Sequence, residues 1–581
     1  MNSLSLIKPY IYRFRYRILF GISCLVCVDI LQLYIPRLVK HAVDALTLMK
    51  ADYARLFRFG IEIISIALCM ACLRFVWRRL LIGTSRIVEE KLRNRLFEHM
   101  QTLSASYFEK TRAGDLMARA TNDINNIRMA AGMGIVALTD AVFLGTAAVC
   151  FMAYIDTRLT FLAMIPMPCI VLLTRIFGKK MHKLYTQVQA RFSELAESTR
   201  ESLAGIRVVK AYGLEQDRIL RLSGLSEKYI SENIRLVNIQ GSFFPLMVFF
   251  TNISLAIVLY FGGRITITGR ITPGDFVAFI SYLSLLTWPM MAIGWIVNLI
   301  QRGRASLDRI YTVINTRPEI TDSPGAVSMK SVSGDIRFEK VSFSVRPGER
   351  KILSDIDLHV PAGGVLGISG PQGAGKTTLL NLILRRHDID EGCIRLDGND
   401  IRSVCLSDLR RALALVPQEP FLFSGTIREN IAFGTTDDKN RIIAAARDAA
   451  IYDDIMRFGH GLDTMVGERG VTLSGGQKQR IVIARALIKD APIFLFDDPV
   501  GQVDTDTASV IIETIRRLAG EKTIIIASHR IPALKISDWI IVLENGRITE
   551  SGTHESLAAG SGYYARINAL QEISARDRKD P

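Results

Sequence analysis

Six apolar stretches, at residues 18–37, 59–82, 133–155, 158–178, 243–263 and 276–300, constrain this chain more than any other feature. Each reaches the roughly 20 residues a helix needs to cross a hydrocarbon core. Several are too long and too continuous for buried helices of a soluble protein. No comparable run follows residue 335. The split explains why 49% hydrophobic residues coexist with 22% charged ones: the two kinds occupy different regions. At 581 residues the chain also exceeds one core, so two or more domains are expected.

Between the second and third runs stand Arg86, Lys91, Arg93, Arg95, Lys110, Arg112, Arg119 and Arg128, a bias that places this segment on the cytoplasmic side. Both termini and the soluble half then lie inside the cell, in an integral, multi-pass membrane protein. The net charge of +15 suits a basic membrane protein in contact with lipid and calls for no nucleic acid partner. The first run continues to membrane length without a small-residue cleavage site, so no cleavable signal peptide is expected. Six of the eight cysteines (Cys24, Cys27, Cys69, Cys72, Cys150, Cys169) sit within or beside the runs and read as small membrane residues rather than metal pairs.

The polar segments 83–132 and 179–242 are rich in helix formers. Folded as antiparallel helix pairs with arms of some 20 residues, they would project about 30 Å from the bilayer as levers. Each breaks near its middle, at "SYFEKTRAGDL" (106–116) and "VKAYGLEQ" (209–216), where a short tip helix is expected to touch the soluble domain. "LIKPYIYRFRYR", before the first run, suits an amphipathic helix in the headgroup layer. Residues 316–335 carry Pro, Gly and Ser without apolar periodicity and read as a linker. A transmembrane domain over 1–315 and a soluble domain over 336–581 follow. In the latter, runs such as "GGVLGISG" and "TIIIAS" alternate with helical patterns, as in an α/β domain with a largely parallel sheet.

"GPQGAGKTT", Gly370 to Thr378, lies between the strand-like "GVLGIS" and the helical "TLLNLILRR" and fits the phosphate-loop pattern. In such a loop, backbone amides and the helix N-terminus cradle phosphate. Lys376 reaches the β- and γ-phosphates and Thr377 binds Mg²⁺. "IFLFDDPVGQVD" (493–504) then brings a buried strand to two acids. Asp497 is expected to hold Mg²⁺, and Asp498 stands where a general base would orient the attacking water.

With these, "LSGGQKQR" (473–480), "VPQEPFLFSGTIRENI" (416–431), "VGERG" (466–470) and "ASHR" (527–530) resemble the motif set of ATP-binding cassette proteins over nearly all of 335–565. "GDLMARATNDI" (114–124), "ESLAGIRVVKAY" (201–212) and "GDFVAFISYL" (274–283) add weaker matches in the membrane half. The chain resembles a half-transporter of the multidrug-exporter branch, of the bacterial inner-membrane type. The fold this implies is an all-α six-helix transmembrane domain with long cytoplasmic helical extensions, fused to an α/β P-loop nucleotide-binding domain. Two such chains would assemble, each ATP held between one chain's phosphate loop and the other chain's signature. The resemblance assigns nucleotide contacts to Gly370, Gly373, Gly375, Lys376, Thr377 and Thr378, and to Ser474, Gly475, Gly476 and Gln477 toward the partner's ATP. It gives Gln418 to Mg²⁺ or the attacking water, His529 to the γ-phosphate and Asp504 to communication across the dimer.

Two positions depart from the family. Val345 in "VSFSV" stands where an aromatic, most often Tyr, stacks on adenine, a contact worth roughly 1–3 kcal/mol. Asp498 replaces the expected Glu and retracts the carboxylate by about one carbon–carbon bond, where an error near 1 Å can cost on the order of 10²-fold in rate. A milder third departure is "GQVD" (501–504) in place of a "SALD"-like stretch. The first two fall on the site built around Lys376, while the signature is intact. That pattern points to a non-identical partner half-transporter and one degenerate site, in an ATP-driven exporter of amphipathic small molecules, drug- or lipid-like. The same residues also fit a slow homodimeric exporter of lipid or peptide, or an ATP-gated regulatory or channel-type protein.

Ionisable residues inside spans are costly and suggest function. Asp29, Glu62, Arg74 and Asp140 qualify. Counted from the span ends, Asp29 and Glu62 lie toward the outer half. Arg74 and Asp140 lie toward the inner half, where an Arg74–Asp140 pair is expected. Asp29 is a candidate contact for a cationic substrate.

Overall fold

The computed structural model describes residues 3–48, 53–346, 350–436, 438–467, 470 and 473–576. Its contacts divide the chain into two units: Met1–Thr102 with Arg112–Thr316, and Leu103–Thr111 with Arg317–Pro581.

Among the described residues the first unit holds six helices long and apolar enough to cross a membrane: Arg15–Thr47, Tyr53–Thr102, Ala113–Ile155, Thr157–Ala204, Glu215–Ile267 and Pro273–Ile314. The second has 50 residues and at 1.5 Å per residue runs about 75 Å, well over twice a hydrocarbon core of roughly 30 Å. The surplus forms the arms. Helices three and four meet at Asp156, whose extended backbone ends one while its carboxylate accepts from the Leu159 amide to cap the next. Where the helices pack, small residues allow close approach: Ala148 and Ala163 are wholly buried beside Leu33, Leu159, Phe279 and Leu286. Tyr282 stacks on Phe151 at 5.4 Å and donates its hydroxyl to the Leu33 carbonyl at 3.0 Å, satisfying a polar atom in an apolar layer.

Polar clasps tie the last helix down at both ends. Away from the arms, Asp44 accepts from the Gly274 amide (2.8 Å) and the Thr272 hydroxyl (3.0 Å), and Lys40 pairs with Asp275 at 2.5 Å. On the arm side, Arg309 bonds both oxygens of Asp123 (2.9 and 2.5 Å), and Ser306 adds a third bond at 2.9 Å. Burial pushes the Asp123 carboxyl up, but the bonds from Arg309 and Ser306 and the nearby guanidinium charges outweigh it and hold it below the ordinary carboxylate value.

The intramembrane ionisable residues depart from the sequence expectation. Arg74 does not pair with Asp140: its guanidinium turns to the Gln32 side chain at 3.4 Å. Asp29 lines the same cavity as Arg74 and Asp140, so counting residues from the span ends separated groups that helix packing brings together. Glu62 bonds Arg58 one turn earlier at 3.2 Å, an exposed pair of small energetic weight.

Among the described residues the second unit contains twelve strands: Ile336–Phe343 (β1), Leu353–Val360 (β2), Val365–Ser369 (β3), Glu391–Leu396 (β4), Asn399–Asp400 (β5), Leu413–Val416 (β6), Gly425–Thr426 (β7), Met465–Val466 (β8), Ile493–Asp497 (β9), Thr523–Ala527 (β10), Trp539–Glu544 (β11) and Arg547–Gly552 (β12). They form an antiparallel sheet ordered β2-β1-β4-β5, a mainly parallel one ordered β12-β11-β3-β10-β9-β6, and the pair β7-β8. Strands β3, β9 and β10 are buried at every residue, as parallel strands covered on both faces must be; hence the unbroken apolar runs.

Also in this unit is the short helix Ala105–Lys110. Ser104 accepts from the Ile320 amide at 2.9 Å, Ser106 donates to Glu319, Lys110 lies 3.5 Å from Glu319, and Glu109 lies 3.5 Å from His387. The stretch read as a linker is stitched to the unit rather than free: the Asp397 carboxylate collects the amides of Ser333, Gly334 and Asp335 and the Ser333 hydroxyl. Sequence pattern registers apolar periodicity, and this segment is held by polar bonds.

The arm-side clasp is testable. Asp123→Asn should destabilise the first unit by about 1–3 kcal/mol, read by thermal denaturation in detergent. Because the folded carboxyl titrates below its unfolded value, the stabilisation is complete above an unfolded pKa of about 3.9 and is lost as pH falls through the folded value. The gap between wild type and variant should therefore be full at neutral pH and close in acid.

Candidate functional site

Strand β3 delivers the chain to Gly370, whose φ of +140° is open to glycine alone; a Cβ there would fall 2.2 Å from the Leu543 carbonyl oxygen. The loop then enters the helix Lys376–Ile383. Gly373, Gly375, Lys376, Thr377 and Thr378 line a cavity of about 890 Å³ at the amino end of that helix, where free backbone N–H groups and the helix dipole favour phosphate. Gly370 itself stands behind the cavity and accepts from the Lys376 Nζ at 2.7 Å, with Pro371 accepting at 2.9 Å. Burial holds the Lys376 amine below the usual lysine range, an effect that Asp497 and Asp498 oppose. The ammonium is thus tethered by two neutral carbonyls, weak competitors for it against a polyphosphate.

Register supplies the other wall. In parallel pairing Asp497 lies opposite Ala527, and Ala527 opposite Ile368, so β9, β10 and β3 end side by side. Asp497, Asp498, Ser528 and His529 consequently face the same cavity, and Gln418, just past β6, joins them. Asp497 is 5% exposed; burial pushes its carboxyl up, the Thr377 hydroxyl and Lys376 pull it down, and Asp498 pushes it up again. A buried carboxylate in that balance is suited to a bound cation. With the Thr377 hydroxyl and the Gln418 amide it offers oxygen donors, the set a hard ion such as Mg²⁺ takes. Burial, then the charge of Lys376, hold the His529 imidazole below its usual value despite Asp498, so at neutral pH it is uncharged and keeps one N–H to donate.

Asp498 has a particular posture. Its φ is +48°, its amide donates to the Ala527 carbonyl at 2.7 Å, and its Oδ1 accepts from the Ser528 hydroxyl at 2.9 Å. Oδ2 is folded toward Gly501, where a Cβ would stand 2.2 Å from it. Gly501 is not in the left-handed region, so an alanine there would meet the carboxylate rather than a backbone penalty. The carboxylate therefore rests in a recess that exists because residue 501 has no side chain.

The signature lies elsewhere in the domain. Ser474 and Gln477 form a reciprocal cap on the helix Gly475–Leu487 (3.2 and 3.1 Å), which leaves the Ser474 O–H free to donate. Cβ atoms on Gly475 and Gly476 would each lie 2.9 Å from Gln502, against its side-chain and backbone oxygens respectively. Asp504 caps the helix Thr505–Leu518 by accepting from the Thr507 amide at 2.9 Å. Val345 is 52% exposed and does not line the cavity, while Phe343, two residues earlier in the chain, is buried beside His387. In "VGERG", Glu468 and Arg469 lie outside the described residues.

Some cavity residues escaped sequence reading. Arg350, Lys351 and Ile352 line it from the start of β2, with Asn545 and Gly546. Arg350 reaches Asn545 at 3.4 Å and offers a guanidinium plane on which a base can stack. Gln571, far along the chain, donates to the His529 carbonyl at 2.7 Å and anchors that loop. No local pattern marks either.

Comparison with known proteins agrees with this geometry. Residues 18–290 match the family model described as the ABC transporter transmembrane region, and residues 353–501 the one described as ABC transporter. A probable multidrug resistance ABC transporter ATP-binding/permease protein, YheI of Bacillus subtilis, is 36% identical over 97% of this chain and 96% of its own length. An ATP-dependent lipid A-core flippase of Syntrophus aciditrophicus is 34% identical over 98% and 94%. The solved structure of a bacterial Atm1-family ABC exporter with ATP bound superimposes with a TM-score of 0.75 at 28% identity, covering 96% of this chain and 98% of that one. The chain belongs to the ABC transporter family, as an exporter half-transporter whose membrane domain is fused to an ATP-binding domain that couples ATP hydrolysis to transport.

Proposed function

We propose that this chain is one half of a heterodimeric exporter that moves amphipathic small molecules, drug- or lipid-like, out of the cytoplasm or the inner leaflet, and that its own nucleotide site is the slow one of two. The observation that carries the reading is the posture of Asp498. The carboxylate is already a methylene shorter than glutamate, and it is tied back by Ser528 and seated over Gly501. A group that must orient water within about 1 Å is poorly placed there. The exposed Val345, outside the cavity, adds to the case. The multidrug and lipid A-core names of the relatives support the substrate class.

In this reading the ATP phosphates lie on Gly370, Gly373, Gly375, Lys376, Thr377 and Thr378, His529 addresses the γ-phosphate, and Asp498 is the group that orients the attacking water. Thr377, Gln418 and Asp497 hold Mg²⁺, which supplies charge neutralisation at the phosphate oxygens. Ser474, Gly475, Gly476 and Gln477 present helix N–H groups and a free hydroxyl to the partner's ATP, with Asp504 beside the dimer seam. The tip helix Ile206–Tyr212 exposes Val208 and Tyr212, apolar surface suited to a second chain. The membrane domain occupies 1–315, the connecting segment 316–335 and the ATP-binding domain 336–581, with both termini cytoplasmic, as the basic segment between the second and third spans supports.

Two measurements test the reading. The purified chain alone should hydrolyse ATP slowly, and co-expression with a homologous half bearing glutamate at the position of Asp498 should accelerate turnover and support hydrolysis-dependent uptake into inverted vesicles. Brisk turnover by the lone chain, abolished by Asp498→Asn, would instead identify a working homodimer. Second, Gly501→Ala fills the recess and displaces the Asp498 carboxylate from its seat over residue 501, further into the cavity it lines. Single-turnover hydrolysis at this site should rise by roughly tenfold, and the rise should vanish in the Gly501→Ala/Asp498→Asn double variant.

A further inference from the structure

A cavity of about 340 Å³ lies among the first, second, third and sixth spans, lined by two acids, Asp29 and Asp140, two arginines, Arg74 and Arg78, the polar Gln32 and Ser284, the indoles Trp77 and Trp288, and apolar side chains. Asp29 is 3% exposed, and its Oδ2 has no hydrogen-bond partner; Oδ1 of Asp140 is likewise buried and unpartnered. Neither carboxylate has an ion pair among the described residues, although Asp140 acts electrostatically on Asp29 and Arg74 acts on both. The two arginines that line the cavity have other partners: Arg74 bonds Gln32 at 3.4 Å, and Arg78 lies over the Trp77 ring at 5.7 Å. Both arginines are exposed, whereas the unpaired acids are the interior groups. Acids inside a membrane domain are expensive and normally paired, and two lone ones facing one cavity form a receptor for positive charge. Trp77 and Trp288 add indole faces that attract a cation.

The geometry points to an intramembrane site for a monovalent organic cation, an ammonium or quaternary amine, with its head between Asp29 and Asp140 and its apolar tail along Leu25, Val28, Leu144 and Leu285. A cation rather than an anion is favoured because the buried unsatisfied atoms are acceptors with negative charge. The inference depends on the exporter reading only for its use in transport; binding itself needs neither partner nor hydrolysis.

The test is equilibrium binding of radiolabelled dodecyltrimethylammonium to the full chain in lipid nanodiscs, with empty nanodiscs as background and dodecyl sulfate and dodecanol as anionic and neutral comparators. Saturable binding of the cation alone is expected. Asp29→Asn and Asp140→Asn should each weaken it by roughly tenfold or more while leaving ATP affinity unchanged. Equal binding of all three amphiphiles, preference for dodecyl sulfate, or indifference to both asparagines would overturn the site. If either asparagine variant does not fold, Arg74→Gln decides: it keeps both carboxylates and removes the competing guanidinium, so tighter cation binding supports the site and unchanged or weaker binding overturns it. Failure of the exporter reading would appear separately, as absent vesicle uptake with cation binding intact.

Discussion

Backbone hydrogen bonds between three parallel strands set where every nucleotide-facing group stands. Because Ile368, Ala527 and Asp497 share one register across β3, β10 and β9, the phosphate loop, the His529 loop and the acid pair leave the sheet at one level. The strands are buried along their whole length, so a slip of one residue would turn each side chain to the opposite face and misplace all three groups together. The fold thus fixes the chemistry by a pairing that involves none of the functional side chains.

Much of this was legible in the sequence, for physical reasons. Membrane spans announce themselves because the bilayer demands length and apolarity at once, and all six runs fall within the long helices. The phosphate loop is readable because its glycines answer local backbone demands, as at Gly370. Arg350 and Gln571 were not readable, since their places depend on chain segments 195 and 42 residues away. The Arg74–Asp140 expectation failed for a related reason. Depth along a span can be counted, but the rotation of one helix against another cannot, and rotation decided that Arg74 meets Gln32 and that Asp29 joins the same cavity.

Carboxylates are held in two different ways in this chain. Asp123 and Asp44 are fully engaged, by Arg309 and Ser306 in one case and by the Gly274 amide and Thr272 in the other, and they act as fasteners. Asp29 and Asp140 keep unpartnered oxygens, and Asp497 is left to a balance among burial, Lys376, Thr377 and Asp498. This incomplete pairing separates them from the acids that hold the fold.

The tip helix Ala105–Lys110 belongs by its contacts with residues far downstream. The ATP-binding unit is therefore discontinuous in sequence. A fragment cut at residue 317 would retain every nucleotide motif yet lack the cover over Glu319, Ile320 and His387. Such a truncated piece would carry a raw patch of unmet hydrogen bonds, and its behaviour in isolation would misrepresent the intact subunit.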